Sequence, residues 1–290
     1  MIDADRRTRV FLEVKPRLMG LAYRMLGSHA DAEDAVQDTY VKWLANRDVI
    51  ENAGGWLMTV CSRVSLDRLK VLKRERERYV GPWLPEPIGD GRVSRFGESF
   101  EYDETLSTAF MLMMDKLSAR ERLVFILREI FDYPYTDISE IMGVSEAGGR
   151  KLFSRAKQRL ERDGVGHQYD AAHASVMLGH FVEAIKTGEM KPLEAMLVKD
   201  VELIADHGGK AVAVDRLLHG PMEVMAFVKD VLHPNWHDGG QMKVLMNGEV
   251  ALIYRHEGVV VSCVRFAFDE EWRVRSVFVM RNPDKLAQFD

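Results

Sequence analysis

The stretch YTDISEIMGVSEAGGRKLFSRAKQRL, Tyr135 to Leu160, decides how this chain is read. Apolar residues recur at helical spacing on both sides of MGVS, where a glycine and then an inward apolar residue suit a tight turn between two helices. In the second helix Gly149, Leu152, Ala156 and Leu160 form an inward stripe. Glu146, Arg150, Ser154 and Lys157 form the outward one, with Lys151 and Arg155 beside it. Ser145 is placed to cap that helix, whose first amides then favour phosphate. Arginine can grip guanine with two hydrogen bonds, and lysine and serine add phosphate or base contacts. This is the pattern of a helix-turn-helix that reads the major groove, and the turn weighs against a merely solvated basic face. Gly148 and Gly149 go against it, each costing about 1 kcal/mol relative to alanine inside a helix. Either the helix is soft until it docks or a close backbone approach requires them.

A formal net charge of -5 does not fit a DNA reader until it is located. Residues 168–290 hold 18 acidic and 13 basic side chains, whereas residues 1–167 hold 27 of each. Within the balanced part, residues 146–162 carry six Arg or Lys against two Glu. Local basicity governs phosphate contact, so nucleic acid is not excluded, and the two halves have different tasks. At 290 residues, two or three domains are expected. No apolar run approaches the roughly 18–20 residues of a bilayer span. The N-terminus has no apolar core after its basic residues, so neither a membrane nor secretion is implied and a cytoplasmic protein is expected. Cys61 and Cys263 lie far apart and read as free buried thiols, with no disulfide, metal or cofactor expected.

From Thr8 to about Leu72 the period is helical. Val10, Phe11, Val14, Leu18, Leu21, Ala22 and Met25 mark one stripe; Ala32, Ala35, Val36, Thr39, Tyr40 and Trp43 mark a second; a third helix begins near Trp56. Periodicity vanishes from Tyr79 to Asp103, a linker rich in Gly, Pro and Ser. It resumes at Glu104, and Ser118–Glu121 reads as a capping box. Beyond Gly164, helices near 171–187, 190–197 and 221–231 and a strand at VELIAD precede four strand-like segments, MKVLMN, VALIYRHE, VVVSCVRFAF and WRVRSVFVM, with turn-like NGE, HEG and FDEE between them. Helices followed by a meander read as an α+β domain with helices on a curved sheet. The expected modules are residues 1–78, a linker 79–103, a helix-turn-helix module 104–166 and an α+β domain 167–290.

In order along the chain, LMGLAYRMLGSHADAEDAVQDTYVKWL, GGWLMTVCSRVSLDRLK and LSARERLVFILREIFDYPYTDISEIMGVSEAGGRKLFSRAKQRL resemble regions two and four of extracytoplasmic-function sigma factors. The resemblance covers about 150 residues. It implies a protein that binds core RNA polymerase, directs it to a -35/-10 promoter pair and performs no chemistry itself. By the same resemblance, Asp31, Glu33, Asp34, Gln37 and Asp38 meet the β′ clamp helices of the polymerase. Arg63, Asp67, Lys70 and Arg74, at i, i+4, i+7 and i+11, with Arg68 close by, meet the -10 element. The base-capturing loop corresponds to about Arg47–Gly55, which has no aromatic. The helix carrying Glu146, Arg150, Lys151, Ser154, Arg155 and Lys157 meets the -35 element.

The remainder resembles SnoaL-like cone-shaped domains, which a subgroup of these sigma factors carries. Three stretches bear the resemblance: WLPEP (Trp83, Leu84, Pro85, Glu86, Pro87), DHGGK (Asp206, His207, Gly208, Gly209, Lys210) and NPDKL (Asn282, Pro283, Asp284, Lys285, Leu286). His207 stands where a glycine is usual. WLPEP is a stiff extended segment with an apolar anchor, and the glycine pair of DHGGK can approach another backbone closely. The resemblance implies that these stretches join the extension to the sigma domains and regulate them in cis. A cone also supplies a pocket for a small ligand, and Asp206, His207, Asp215, His219 and Tyr254 are acid–base groups without diagnostic spacing. His233 and His237, with Asp238, have i, i+4 spacing, but HPNWHDGG reads as loop, not as a metal site. The rival readings are a one-component, ligand-responsive transcription regulator and a SnoaL-like enzyme with a DNA-binding appendage.

Overall fold

The structure is a computed structural model that describes residues 2–46, 48–89, 104–162, 170–236 and 240–289. These form two compact units: residues 2–77 with 110–162, and residues 78–89 and 104–109 with 170–289.

The first unit is helical. Helix α1 (Ile2–Leu26) packs on α2 (His29–Ala45) and α3 (Ala53–Arg76). Leu18, Leu21, Ala22 and Met25 meet Ala32, Val36, Trp43, Leu57, Met58 and Cys61 in the core, all buried, as their 3.6-residue spacing requires. Ser28 caps α2 by accepting the Asp31 amide. Asn52 caps α3 by accepting the Gly55 amide, so that helix starts at Ala53, three residues before the apolar stripe near Trp56 announced it. Helix α4 (Thr108–Asp115) begins in the second unit and ends in the first. Helix α5 (Ala119–Phe125) opens with the expected capping box, Ser118 and Glu121 each accepting the other's amide, and runs into a π turn at Ile126–Ile130. Helices α6 (Tyr135–Met142) and α7 (Glu146–Arg162) follow, joined through Gly143 in the left-handed conformation (φ +61°).

One carboxylate ties the three N-terminal helices to the later ones. Asp115 pairs with Arg76 at 2.8 Å and with Arg122 at 2.5 Å, and Arg122, fully buried, also donates to the Arg24 carbonyl at 2.9 Å. Burial alone would raise the Asp115 carboxyl, but Arg122 and Arg76 hold it below its usual range. Lys73 donates to the Leu117 carbonyl at 2.7 Å.

The second unit is α+β. Helices α8 (Ala171–Thr187), α9 (Lys191–Glu194), α10 (Gly220–Phe227, extended by a π turn to Leu232) and α11 (His233–Trp236) accompany a six-stranded sheet. Its strands are β1 (Leu197–Asp206), β2 (Leu218–His219), β3 (Gln241–Met246), β4 (Glu249–His256), β5 (Val259–Phe268) and β6 (Val274–Met280), in the order β2-β1-β6-β5-β4-β3. Among the described residues only the β1–β6 pair is parallel. Two hairpins turn on Asn247-Gly248 and Glu257-Gly258, all four at positive φ, the conformation that matches the twist of the flanking strands.

One face of the sheet carries Leu203, Tyr254, Val264, Phe266 and Val279 into a core shared with Leu178, Phe181 and Trp236. Alternation sends Asp206, Cys263, Arg265 and Phe278 to the other face, yet they are buried too. HPNW, read as loop, is helical: the π turn at Val228–Leu232 has already broken the regular ladder, so Pro234 is tolerated where its missing amide would otherwise interrupt it. A short helix α12 (Pro283–Leu286), capped by Asn282, follows β6; Pro283 opens this helix and lies beyond the strand.

Candidate functional site

Helix α7 presents the arrangement that its stripes announced. Gly149, Ala156 and Leu160 are buried and Leu152 is half-buried, whereas Arg150, Lys151, Ser154, Arg155 and Lys157 are exposed and Glu146 is half-buried. Ser145 accepts the Gly148 amide at 3.1 Å. Arg150 pairs with Glu146 at 2.6 Å and lies over the Tyr135 ring at 4.7 Å, so its guanidinium is held out in a fixed orientation. A Cβ at Gly149 would meet only Tyr135 and Ile138, at 3.6 and 3.8 Å, ordinary contact distances. No close approach inside the unit therefore demands that glycine.

On α2, Glu33, Asp34, Gln37 and Asp38 are exposed on one face. Asp31 is half-buried and accepts both Nε and Nη2 of Arg68 from α3, at 3.0 and 2.7 Å. The pairing strengthens the charge of Arg68, raising its pKa through that hydrogen bond. Between the two helices runs a groove of about 660 Å³ lined by Asp34, Gln37, Asp38, Lys42, Asp67 and Arg68. The two sets of residues that the resemblance assigned to different partners thus meet in one groove. Lys70 pairs with Asp67 at 2.8 Å, and Arg74 is exposed. Arg63 is engaged elsewhere: Nε donates to the Ile141 carbonyl at 3.1 Å and Nη2 to that of Glu140 at 3.2 Å, at the end of α6.

The loop between α2 and α3 borders a second groove, of about 410 Å³, lined by Asp48 and Glu51 but also by Arg6, Arg7 and Trp43. Arg7 lies over Trp43 at 5.0 Å and donates to the Trp43 and Asn46 carbonyls at 2.8 and 2.7 Å, fixing the end of α2 where the loop starts. The sequence signal for these two arginines was only an adjacent basic pair near the start of α1. Arg47 lies outside the described residues.

In the second unit the three short stretches converge on Asp206, which is fully buried. Its carboxylate accepts the Tyr79 hydroxyl at 2.5 Å, the Leu84 amide at 2.7 Å and Lys285 Nζ at 2.6 Å. Lys285 also donates to the Leu84 carbonyl at 2.6 Å and lies between the Tyr79 and Trp83 rings, 5.2 and 4.5 Å from their centroids. Burial, reinforced by Asp206, raises the Tyr79 pKa, so its proton stays in place. Leu84, Pro85 and Pro87 are buried, and Gln288 reaches Glu86 at 3.2 Å and the Pro87 carbonyl at 2.6 Å. Lys210 pairs with Asp284.

Glycine is required in DHGGK on two counts. Gly208 and Gly209 have φ of +58° and +72°, and a Cβ at Gly208 would come within 2.4 Å of Asn282. At Gly209 it would meet Val80 at 3.3 Å. His207, in the place of a further glycine, is buried, with Nδ1 accepting the Gly209 amide at 3.1 Å and Nε2 2.8 Å from Asp215. Sequence reasoning found these three stretches but missed Tyr79, Asn247 and Glu249, which bind the same segment and its continuation. NGE read only as a turn.

Of the acid–base groups of this domain His207 and Asp215 meet, at 2.8 Å, but the others do not join them. Asp206 and Tyr254 lie on opposite faces of the sheet, Tyr254 donating to the Asn235 carbonyl at 3.0 Å, and His219 lies 3.7 Å from Glu202. The cone interior is filled by Phe181, Trp236, Tyr254, Phe266 and Phe268. His233 contacts the Ile185 carbonyl through Nδ1, while His237 and Asp238 lie outside the described residues. Among the described residues no group of three His, Cys, Asp or Glu could hold a metal ion, and no helix is long and apolar enough to cross a membrane.

Comparison with known proteins matches residues 10–75 to sigma-70 region 2 and residues 107–160 to sigma-70 region 4. The chain is 32% identical over 246 residues to the ECF RNA polymerase sigma factor SigJ of Mycobacterium tuberculosis, covering 83% of this chain and 78% of SigJ. It is 32% identical over 207 residues to the probable ECF RNA polymerase sigma factor SigI of the same species, covering 69% and 70%. The crystal structure of M. tuberculosis SigJ superposes with a TM-score of 0.76 at 28% identity, covering 97% of this chain and 98% of that one. With both sigma regions in order, an exposed basic recognition helix and this relationship along most of its length, the chain belongs to the extracytoplasmic-function RNA polymerase sigma factors.

Proposed function

We propose that this sigma factor is restrained in cis by its own α+β extension, which acts through the connector between the two sigma regions. As a sigma factor the chain binds core polymerase and promoter DNA and is not an enzyme. In the proposed reading Glu33, Asp34, Gln37 and Asp38, with Asp31 supporting Arg68, face the clamp helices. Arg63, Asp67, Arg68, Lys70 and Arg74 serve the -10 element, and the exposed face of α7 serves the -35 element. A mixed stripe of basic groups and one acceptor suits phosphate grip plus base contact.

The observation that carries the restraint is the Asp206 network. A buried carboxylate bound by Tyr79, the Leu84 amide and Lys285 holds the first part of the connector on the extension. The engagement of Arg63 by the Glu140 and Ile141 carbonyls supports a resting state, because a side chain committed there is not free for DNA. Breaking one partner of a buried pair costs about 3–5 kcal/mol, enough to free a connector segment. Lys285→Met keeps the apolar stem and removes the cation. Transcription with core polymerase from a cognate promoter should rise severalfold over the unaltered chain, and unchanged output from a folded variant would overturn the restraint.

A further inference from the structure

We propose that the turn Asn247-Gly248-Glu249 is a clasp that ties the two ends of the connector to the extension, holding residue 88 and residues 106–108 on the same hairpin. This rests on the reading that the extension acts in cis, and it names a contact outside the three stretches that suggested that reading.

Asparagine-glycine at a two-residue hairpin ordinarily faces water. Here Asn247 is 2% exposed. Its amide donates to the Ile88 carbonyl at 2.8 Å while its Oδ1 accepts the Ile88 amide at 2.7 Å, so both backbone groups of Ile88 are engaged by one residue. Gly89 continues the pairing as an antiparallel bridge to Met246. The other end of the asparagine side chain, Nδ2, donates to the Leu106 carbonyl at 3.0 Å. Two residues further along the hairpin, Glu249 accepts the Thr108 amide at 3.2 Å, where α4 begins and its amides favour a carboxylate. Ile88 and Leu106 are both buried against this arrangement. A single hairpin therefore grips the connector before and after residues 90–103.

The polar groups beneath the clasp are incompletely matched. Arg265, 1% exposed, approaches Asn247 Oδ1 at 3.4 Å. Its Nε and Nη2, and the Thr108 hydroxyl, have no hydrogen-bond partner among the described residues. Buried donors left unpaired make a contact less stable than a fully satisfied one. Elements that open first come from that end of the stability range. With the clasp open, the start of α4 is released from the hairpin. With it closed, the start of α4 is held to the hairpin.

The test is hydrogen exchange on the full chain. Asn247→Gly keeps the positive φ of the turn and removes the gripping side chain. Peptides covering 84–89 and 104–109 should both exchange at least tenfold faster, with β4 and β5 unchanged. Glu249→Ala leaves the asparagine in place and should loosen 104–109 alone, so the clasp remains testable if the first variant folds poorly. Unchanged exchange at both segments, or equal acceleration of β4 and β5, would overturn the clasp. The same Asn247→Gly protein, transcribed with core polymerase, separates the two ideas. Faster exchange with raised output supports both. Faster exchange with unaltered output leaves the clasp standing and counts against restraint by the extension.

Discussion

Glu249 lies fully buried beside Arg265 with the Thr108 amide on its carboxylate, and burial pushes its pKa up to about 7 against the pull of both. The sign of the resulting pH dependence follows from linkage. The folded chain keeps a proton that the unfolded chain releases near pH 4.5, its ordinary value. The associated stability is full below that pH and is lost as pH rises through about 7, by on the order of 3 kcal/mol. Glu249→Gln cannot ionise and still offers an oxygen to Thr108. Urea midpoints between pH 5 and 8 should therefore fall for the unaltered chain relative to the variant, and parallel profiles would contradict the assignment. At this scale the sequence was legible where a resemblance marked residues, as at Asp206 and Lys285. Asn247 and Glu249 were not legible, because NGE has the composition of a solvent-facing turn. What buries it is chain some 140 to 160 residues away.

Elements were legible where local chemistry settles them. The capping box at Ser118 and Glu121, the Ser145 cap and the left-handed Gly143 each follow from a few adjacent residues. HPNW was not, since its helicity depends on a π turn and on the burial of Trp236. The recognition helix α7 yields the prediction at this scale. Gly149 has ordinary helical backbone and room for a methyl group, so Gly149→Ala should stabilise the first unit by about 0.5–1 kcal/mol. Because that position faces inward, -35 affinity should hold. A stability gain seen in thermal unfolding together with unchanged promoter binding is expected. Loss of binding would show that softness of the helix is part of recognition.

For the whole molecule, the two-part charge distribution and the order of helical and α+β segments followed from the sequence alone. The joining of both sigma regions into one compact unit did not. Arg76, Asp115 and Arg122 read as ordinary charged positions, and only the fold brings them into a partly buried cluster in which Arg122 is wholly enclosed. The central claim, a sigma factor that carries its own restraint, is tested most directly by transcription of genomic DNA from the host. Core polymerase alone would be compared with core polymerase plus the full chain, and plus the Lys285→Met form. The account predicts new starts that share a -35/-10 pair, present only with the chain and stronger with the variant. No specific starts with either form, together with sequence-specific DNA binding in the absence of core polymerase, would contradict it.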